Sequence, residues 1–286
     1  MLNLDCMTRR AYAFLLMGMI CMGAVYAIPN QRAFAHTFSG DESASFLATV
    51  EVIKVHLDLA KKDFTTNATL SAEHVEHAGE HLTNDTIKEI TERNKRLGTD
   101  LPASLKDLRE ALEGGNATAV DVNGQVTNIN SLLDETVTVR IEKTQLTNST
   151  VQGTMLADFA DEILESYDGA YANQTNIVNM MDYESAQALA VRAQELFDSK
   201  LKAMAEANAT AAVTALDAGL KKLKQAIDDK AAPDNVDSIV NKDVHPNIQK
   251  AFNLQIIPEF PLPLVLTIPA IAGIIIAAKI NTLRKR

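Results

Sequence analysis

Three of the chain's six histidines fall within one eleven-residue run, AEHVEHAGEHL, as His74, His77 and His81. Neutral imidazole offers a nitrogen lone pair to copper, zinc or iron, and two imidazoles four residues apart on a helix can share one ion. His77 and His81 have that spacing. At about 100° per residue the three rings fall at about 0°, 300° and 340°, a stripe roughly 60° wide. Val75, Ala78 and Leu82 flank it on one side, and Glu73, Glu76 and Glu80 on the other. The histidines therefore sit on a seam between core and solvent, with carboxylates beside them. His56, next to the core positions of the preceding helix, becomes a fourth ligand if the two helices form an antiparallel hairpin. Glu51 can add an oxygen. The same spacing also fits a polar seam without metal, whose rings snorkel or hydrogen-bond to the glutamates.

Other chemistry is hard to place on this chain. Both cysteines, Cys6 and Cys21, lie in the N-terminal segment, which leaves the rest without disulfides, thiolate ligands or a cysteine nucleophile. No G-x-S-x-G, H-E-x-x-H, G-x-G-x-x-G or phosphate-binding Gly-Lys-Ser/Thr pattern occurs, so no catalytic residue is assigned and an enzyme is the least expected class. Tyr167, Tyr171 and Tyr183 gather near the start of the second half, where they read as core edges. Residues 36–257 carry 20 Lys plus Arg against 35 Asp plus Glu, a net of −15. That balance argues against nucleic acid as a partner and suits a solvated surface or the attraction of cations.

The elements that must position the histidines read as helices. Phe46, Leu47, Val50, Ile53, Leu57 and Ala60 recur at three and four, an amphipathic helix. A second starts near Ser71 and runs through NDTIKEITERNKRL to a stop at Gly98. LPASLKDLREALEGG follows, with Pro102 early and Gly114-Gly115 as its end. From Ala117 to Glu142 the pattern loosens, and VTVRI predicts a short extended piece at Val137 to Ile141. Helix resumes in TMLADFADEILESYDGAYA, in ESAQALAVRAQELF and onward to GLKKLKQAID, and more weakly from Asn235 to Phe252. The halves resemble each other at offsets near 110 to 115, as in SLKDLREALE against GLKKLKQAID. The expectation is an all-α ectodomain of antiparallel bundles, with helical units at 36–142 and 143–255.

The ends read as targeting segments. Residues 1–27 have Arg9 and Arg10, an apolar run and a small-x-small stop at Ala27, a secretory signal, with an alternative cut after Ala35. Residues 262–278 form an apolar stretch near the lower limit for a transmembrane helix, and 279–286 form a basic tail. The positive-inside rule puts that tail in the cytoplasm and the ectodomain outside the cell membrane. N-x-[ST] sequons stand at Asn67, Asn84, Asn116, Asn148, Asn173 and Asn208. Chance would give roughly two in such a chain, so glycosylation of an exported domain is expected.

Pro258-Glu259-Phe260, in the 256–261 linker before the apolar span and basic tail, resembles the archaeal PEF-CTERM type of sorting signal. That resemblance implies a surface protein whose tail an archaeosortase recognises. EILESYDGAYANQTNIVNMMDYESAQALAVRAQELF is similar to the extracytoplasmic helical domain of oxidase-coupled iron permeases, through Glu165, Tyr167, Asn179, Asp182, Tyr183 and Ala186. It implies extracytoplasmic support of metal uptake. The sequence thus predicts a membrane-anchored helical surface protein that binds or hands over copper, zinc or iron, with a metal transporter or envelope proteins as partners. The alternative is a non-catalytic structural or adhesive envelope protein without a metal site.

Overall fold

The computed structural model describes residues 41–115 and 117–254. The expected signal segment, Asn116, the Pro258-Glu259-Phe260 motif, the apolar stretch and the basic tail lie outside the described residues. What is described is all-helical: α1 (Asp41–Asp63), α2 (Ala68–Glu80), α3 (Asn84–Arg93), α4 (Lys95–Glu113), α5 (Ala119–Arg140), a four-residue α6 (Lys143–Leu146), α7 (Ser149–Gly169), α8 (Met180–Ser199), a 3-10 turn (Leu201–Met204), α9 (Thr210–Asp228), α10 (Pro233–Ile239), a π-turn (Val240–Val244) and α11 (His245–Phe252). Among these residues no helix is long and apolar enough to cross a membrane.

Packing follows chain order. Helices α1, α2, α4 and α5 form a closed ring, each against the next and α5 back against α1, with α3 laid on α4 and α5. Helices α7, α8, α9 and α11 close a second ring in the same order. The rings meet where α1 packs on α7 and α8. Helix α1 is therefore enclosed by four others, and its composition shows why. Ala44, Leu47, Val50, Val52, Ile53, Val55, Leu57, Leu59 and Ala60 are all buried, more of its circumference than one amphipathic stripe supplies.

Several elements differ from the sequence expectation, each for a local reason. The single helix expected from Ser71 to Gly98 is three pieces. Asn67 caps α2, its Oδ1 accepting from Leu70 N at 3.2 Å, so the helix starts before Ser71. Thr83 then caps α3 and Asn94 caps α4 through the same kind of bond. Gly98 does not stop a helix but lies inside α4, where a Cβ would stand 2.1 Å from Thr91 Oγ1; it lets α3 and α4 cross closely. Gly114 and Gly115 do end α4, and Gly115 takes φ 66. The extended piece expected at Val137 to Ile141 is helical through Arg140. A Thr118–Asp121 capping box starts that helix, and burial of Val126, Ile129, Leu133 and Arg140 overrides the β-branched run. The long helix expected from Glu184 to Asp228 breaks after Ser199, and α9 begins at Thr210.

The described sequon asparagines are all exposed. Asn67 and Asn148 are helix caps, and Asn173 closes a turn by accepting from Thr175 N and Asn176 N. Local capping chemistry thus uses the same triplets that a glycan would.

Because Leu57 is fully buried where α1 packs against its neighbours, Leu57→Ala should cost about 2–5 kcal/mol in urea unfolding. Val120→Ala, at a side chain 80% exposed, should change stability by less than about 0.5 kcal/mol. Equal small effects would contradict the enclosed position of α1.

Candidate metal centre

The α1–α2 hairpin builds the centre. Ser71 Oγ donates to the carbonyl of Ala60 at 2.7 Å and ties the two helices near their turn. In this antiparallel register His56 meets His77 and His81. Asp63, seven residues further along α1, meets His74, seven residues before His81 on the other strand of the hairpin.

His56, His77 and His81 each present a nitrogen, and the three atoms lie within 4.8 Å of one another. Ring centroids stand 4.7 Å apart for His56–His77, 5.9 Å for His56–His81 and 4.9 Å for His77–His81. Zinc–nitrogen bonds of about 2.0–2.1 Å put tetrahedral ligands roughly 3.3 Å apart, so small side-chain rotations close this set on an ion. His77 Nδ1 lies 2.9 Å from Glu80 Oε2 and donates to it, which leaves its Nε2 as the lone pair. Such a carboxylate partner fixes the tautomer of a ligating ring. Nε2 of His56 and Nε2 of His81 are buried without a hydrogen bond. Glu162 of α7 brings Oε1 to 3.7 Å from His81 Nε2 and offers a fourth donor.

A second set lies beside the first. Asp63, His74 and Glu184 also place one donor atom each within 4.8 Å of the others. His74 Nε2 stands 3.5 Å from Asp63 Oδ2. Lys62 Nζ donates to Glu184 Oε2 at 2.9 Å and sits 3.7 Å from Asp63 Oδ1. The two sets touch through His56 Nδ1 and His74 Nδ1, 3.3 Å apart.

Electrostatics keep the nitrogens available. Burial lowers the pKa of His56 to about 2, helped by the neighbouring His77, His74 and His81. Burial likewise lowers His74 and His81 to about 4 each. These rings are therefore neutral at pH 7, as ligation requires. Burial also raises the Glu162, Asp182 and Asp63 carboxyls. Two grooves lead inward. One of 270 Å³ is lined by Glu73, Glu76, His77, Glu80, Asn179 and Met181. The other, of 550 Å³, has Lys62, Glu184, Asp58 and Arg192 among its walls.

The sequence grouped His74 with His77 and His81, but the structure divides them. His74 turns to Asp63 and Glu184, because it lies two turns from His81 and so opposite a different part of α1. Glu51 is no ligand either: Arg192 donates to its Oε2 from Nε at 2.9 Å and from a terminal nitrogen at 2.6 Å. Glu162 and Glu184 come from the other half of the chain, and nothing in their local sequence announces them. Asp63 could have been found, since it follows His56 by seven residues on the same helical face. The tyrosines form a buried brace: Tyr167 donates to the carbonyl of Ala231 at 2.6 Å and Tyr183 to that of Ile227 at 3.0 Å. Asn179 caps α8, accepting from Asp182 N and donating to Asp182 Oδ2. Comparison with known protein families, curated proteins and solved structures gives no match.

The lowered histidines make stability depend on pH. Unfolded, each ring takes a proton near pH 6.5, whereas folded it does so only near pH 4 or 2. Below pH 6.5 the unfolded state binds more protons, so their contribution is full above 6.5 and is lost as pH falls. Each ring adds a slope of about 1.4 kcal/mol per pH unit at most. Urea unfolding between pH 6.5 and 4.5 should therefore show a shallower fall in His56→Leu than in the natural chain. Equal slopes would contradict a buried neutral His56.

Proposed function

We propose that this chain is a cation-binding protein whose site is His56, His77 and His81, with Glu162 as an additional oxygen donor. One observation carries the reading: three imidazoles from two helices converge, and two of them hold buried nitrogens without any hydrogen-bond partner. An unpaired buried nitrogen is costly to keep, which makes a ligand role a better account of it than a polar seam. Three imidazoles with a carboxylate suit copper(II), zinc or iron(II). The groove lined by Glu73, Glu76 and Glu80 opens at His77, the most exposed of the three rings, and its charge favours entry of a cation.

The cellular setting belongs to the same proposal. Residues 1–27, the Pro258-Glu259-Phe260 motif, the 262–278 span and the basic tail support export and anchoring in the cell membrane, with the helical part outside. Exposure of Asn67, Asn84, Asn148, Asn173 and Asn208 is compatible with glycosylation there. Recurrence of one packing order in the two rings supports duplication of a four-helix unit. The role is capture or handover of a transition metal, with a transporter as partner, and involves no catalysis.

Isothermal titration of the purified chain with zinc should give one site of micromolar affinity or better. His77→Ala/His81→Ala should weaken it at least a hundredfold. Weak binding that the double substitution leaves unchanged would leave a structural or adhesive envelope protein instead.

A further inference from the structure

Asp63, His74 and Glu184 lie outside the three-histidine site, yet they have the makings of another. His74 is fully buried, and its Nε2, which faces Asp63, has no hydrogen-bond partner. Asp63 is 5% exposed, and its Oδ2, 3.5 Å from that nitrogen, has none either. Glu184 completes the set from α8, at the wall of the 550 Å³ groove. A cation already rests against the two carboxylates in the form of the Lys62 ammonium. Lys62 is 63% exposed on its side chain, so it can swing into solvent when another cation arrives.

We propose that Asp63, His74 and Glu184 form a second divalent-cation site, entered from its own groove and antagonistic to the three-histidine site. Two oxygens and one nitrogen make a harder set than three imidazoles, so manganese(II) and iron(II) are better matched here than at the three-histidine site. Antagonism follows from the hydrogen bond between His56 Nδ1 and His74 Nδ1. One neutral ring must donate and the other accept. When His56 gives its Nε2 lone pair to an ion, its proton is on Nδ1 and is donated to His74 Nδ1. His74 then carries its own proton on Nε2, directed at Asp63, and has no lone pair for the second set. When His74 ligates through Nε2, the arrangement reverses: His74 Nδ1–H donates to His56 Nδ1, and the His56 proton moves to Nε2. Each ring holds one proton in either state, so an exchange of sites needs no net proton uptake. Filling both sets would turn two N–H groups against each other in a buried position. Ion occupancy on one side therefore weakens the other, and the linkage is reciprocal. The second site stands on its own geometry, whereas the antagonism rests on metal binding by the three histidines.

Manganese(II) titration of the full chain, read by loss of the free-ion EPR signal, tests both parts. One ion per chain is expected, with affinity at least tenfold weaker in Asp63→Asn and in Glu184→Gln and unchanged in His77→Ala/His81→Ala. Lys62→Met should bind more tightly, a gain that a merely damaged fold does not produce. One equivalent of zinc should weaken manganese binding at least tenfold, while zinc affinity itself stays the same in Glu184→Gln, which places zinc in the first set. Manganese binding that ignores both carboxylate substitutions, or that is missing from the natural chain and Lys62→Met alike, overturns the second site. Manganese affinity untouched by zinc overturns the antagonism. Carboxylate-dependent manganese binding in a chain that takes no zinc supports the second site and removes the three-histidine reading.

Discussion

Helix α1 packs against four others, and although Asp58, Lys61 and Lys62 reach solvent, His56 and Asp63 lie on its buried faces. Water cannot satisfy them, so whatever they bond to must come from neighbouring helices. Helix α2 supplies His74 and His77 and its C-cap supplies His81, α7 supplies Glu162 and α8 supplies Glu184. The hairpin register decides which partner each one meets. Everything distinctive in the site's electrostatics descends from this placement. Burial drives His56, His74 and His81 neutral, raises the Asp63 and Glu162 carboxyls and leaves several donor atoms without a hydrogen bond.

Much of this could be read from the chain before any coordinates. The period of three and four in Phe46 to Ala60 located α1, and the His77–His81 spacing identified two donors that do converge. Antiparallel pairing brought in His56. What failed did so partly through local capping and partly through tertiary packing. Helix α2 gives way to α3 at Thr83, and α3 to α4 at Asn94, because these residues offer new caps, a competition between local side chains that periodicity does not register. Gly98 looked like a stop, yet its role is to let Thr91 approach. The VTVRI alternation lost to the core that Val126, Ile129 and Leu133 enter from a capped helix. His74 sits on the same stripe as its neighbours, and the stripe alone could not show that two turns of rise would hand it to different partners. Glu162 and Glu184 are about a hundred residues away in sequence, joined to the site only by the packing of one ring on the other.

The arrangement also sets out a division of labour between donor types. Nitrogens dominate the side facing the acidic groove at His77, and oxygens dominate the side facing Lys62 and Glu184. A borderline ion gains most from the first environment and a harder ion from the second. The single ring-to-ring hydrogen bond between them couples the two environments without any movement of the backbone. Such coupling is economical in a rigid all-helical core, where a tautomer change displaces no heavy atom.

The most direct test of the central claim is anomalous diffraction at the zinc edge from crystals of the zinc-loaded protein. The account predicts one peak about 2.0–2.1 Å from a nitrogen of each of His56, His77 and His81. A peak confined to surface carboxylates, or no peak between these rings at full loading, would contradict it.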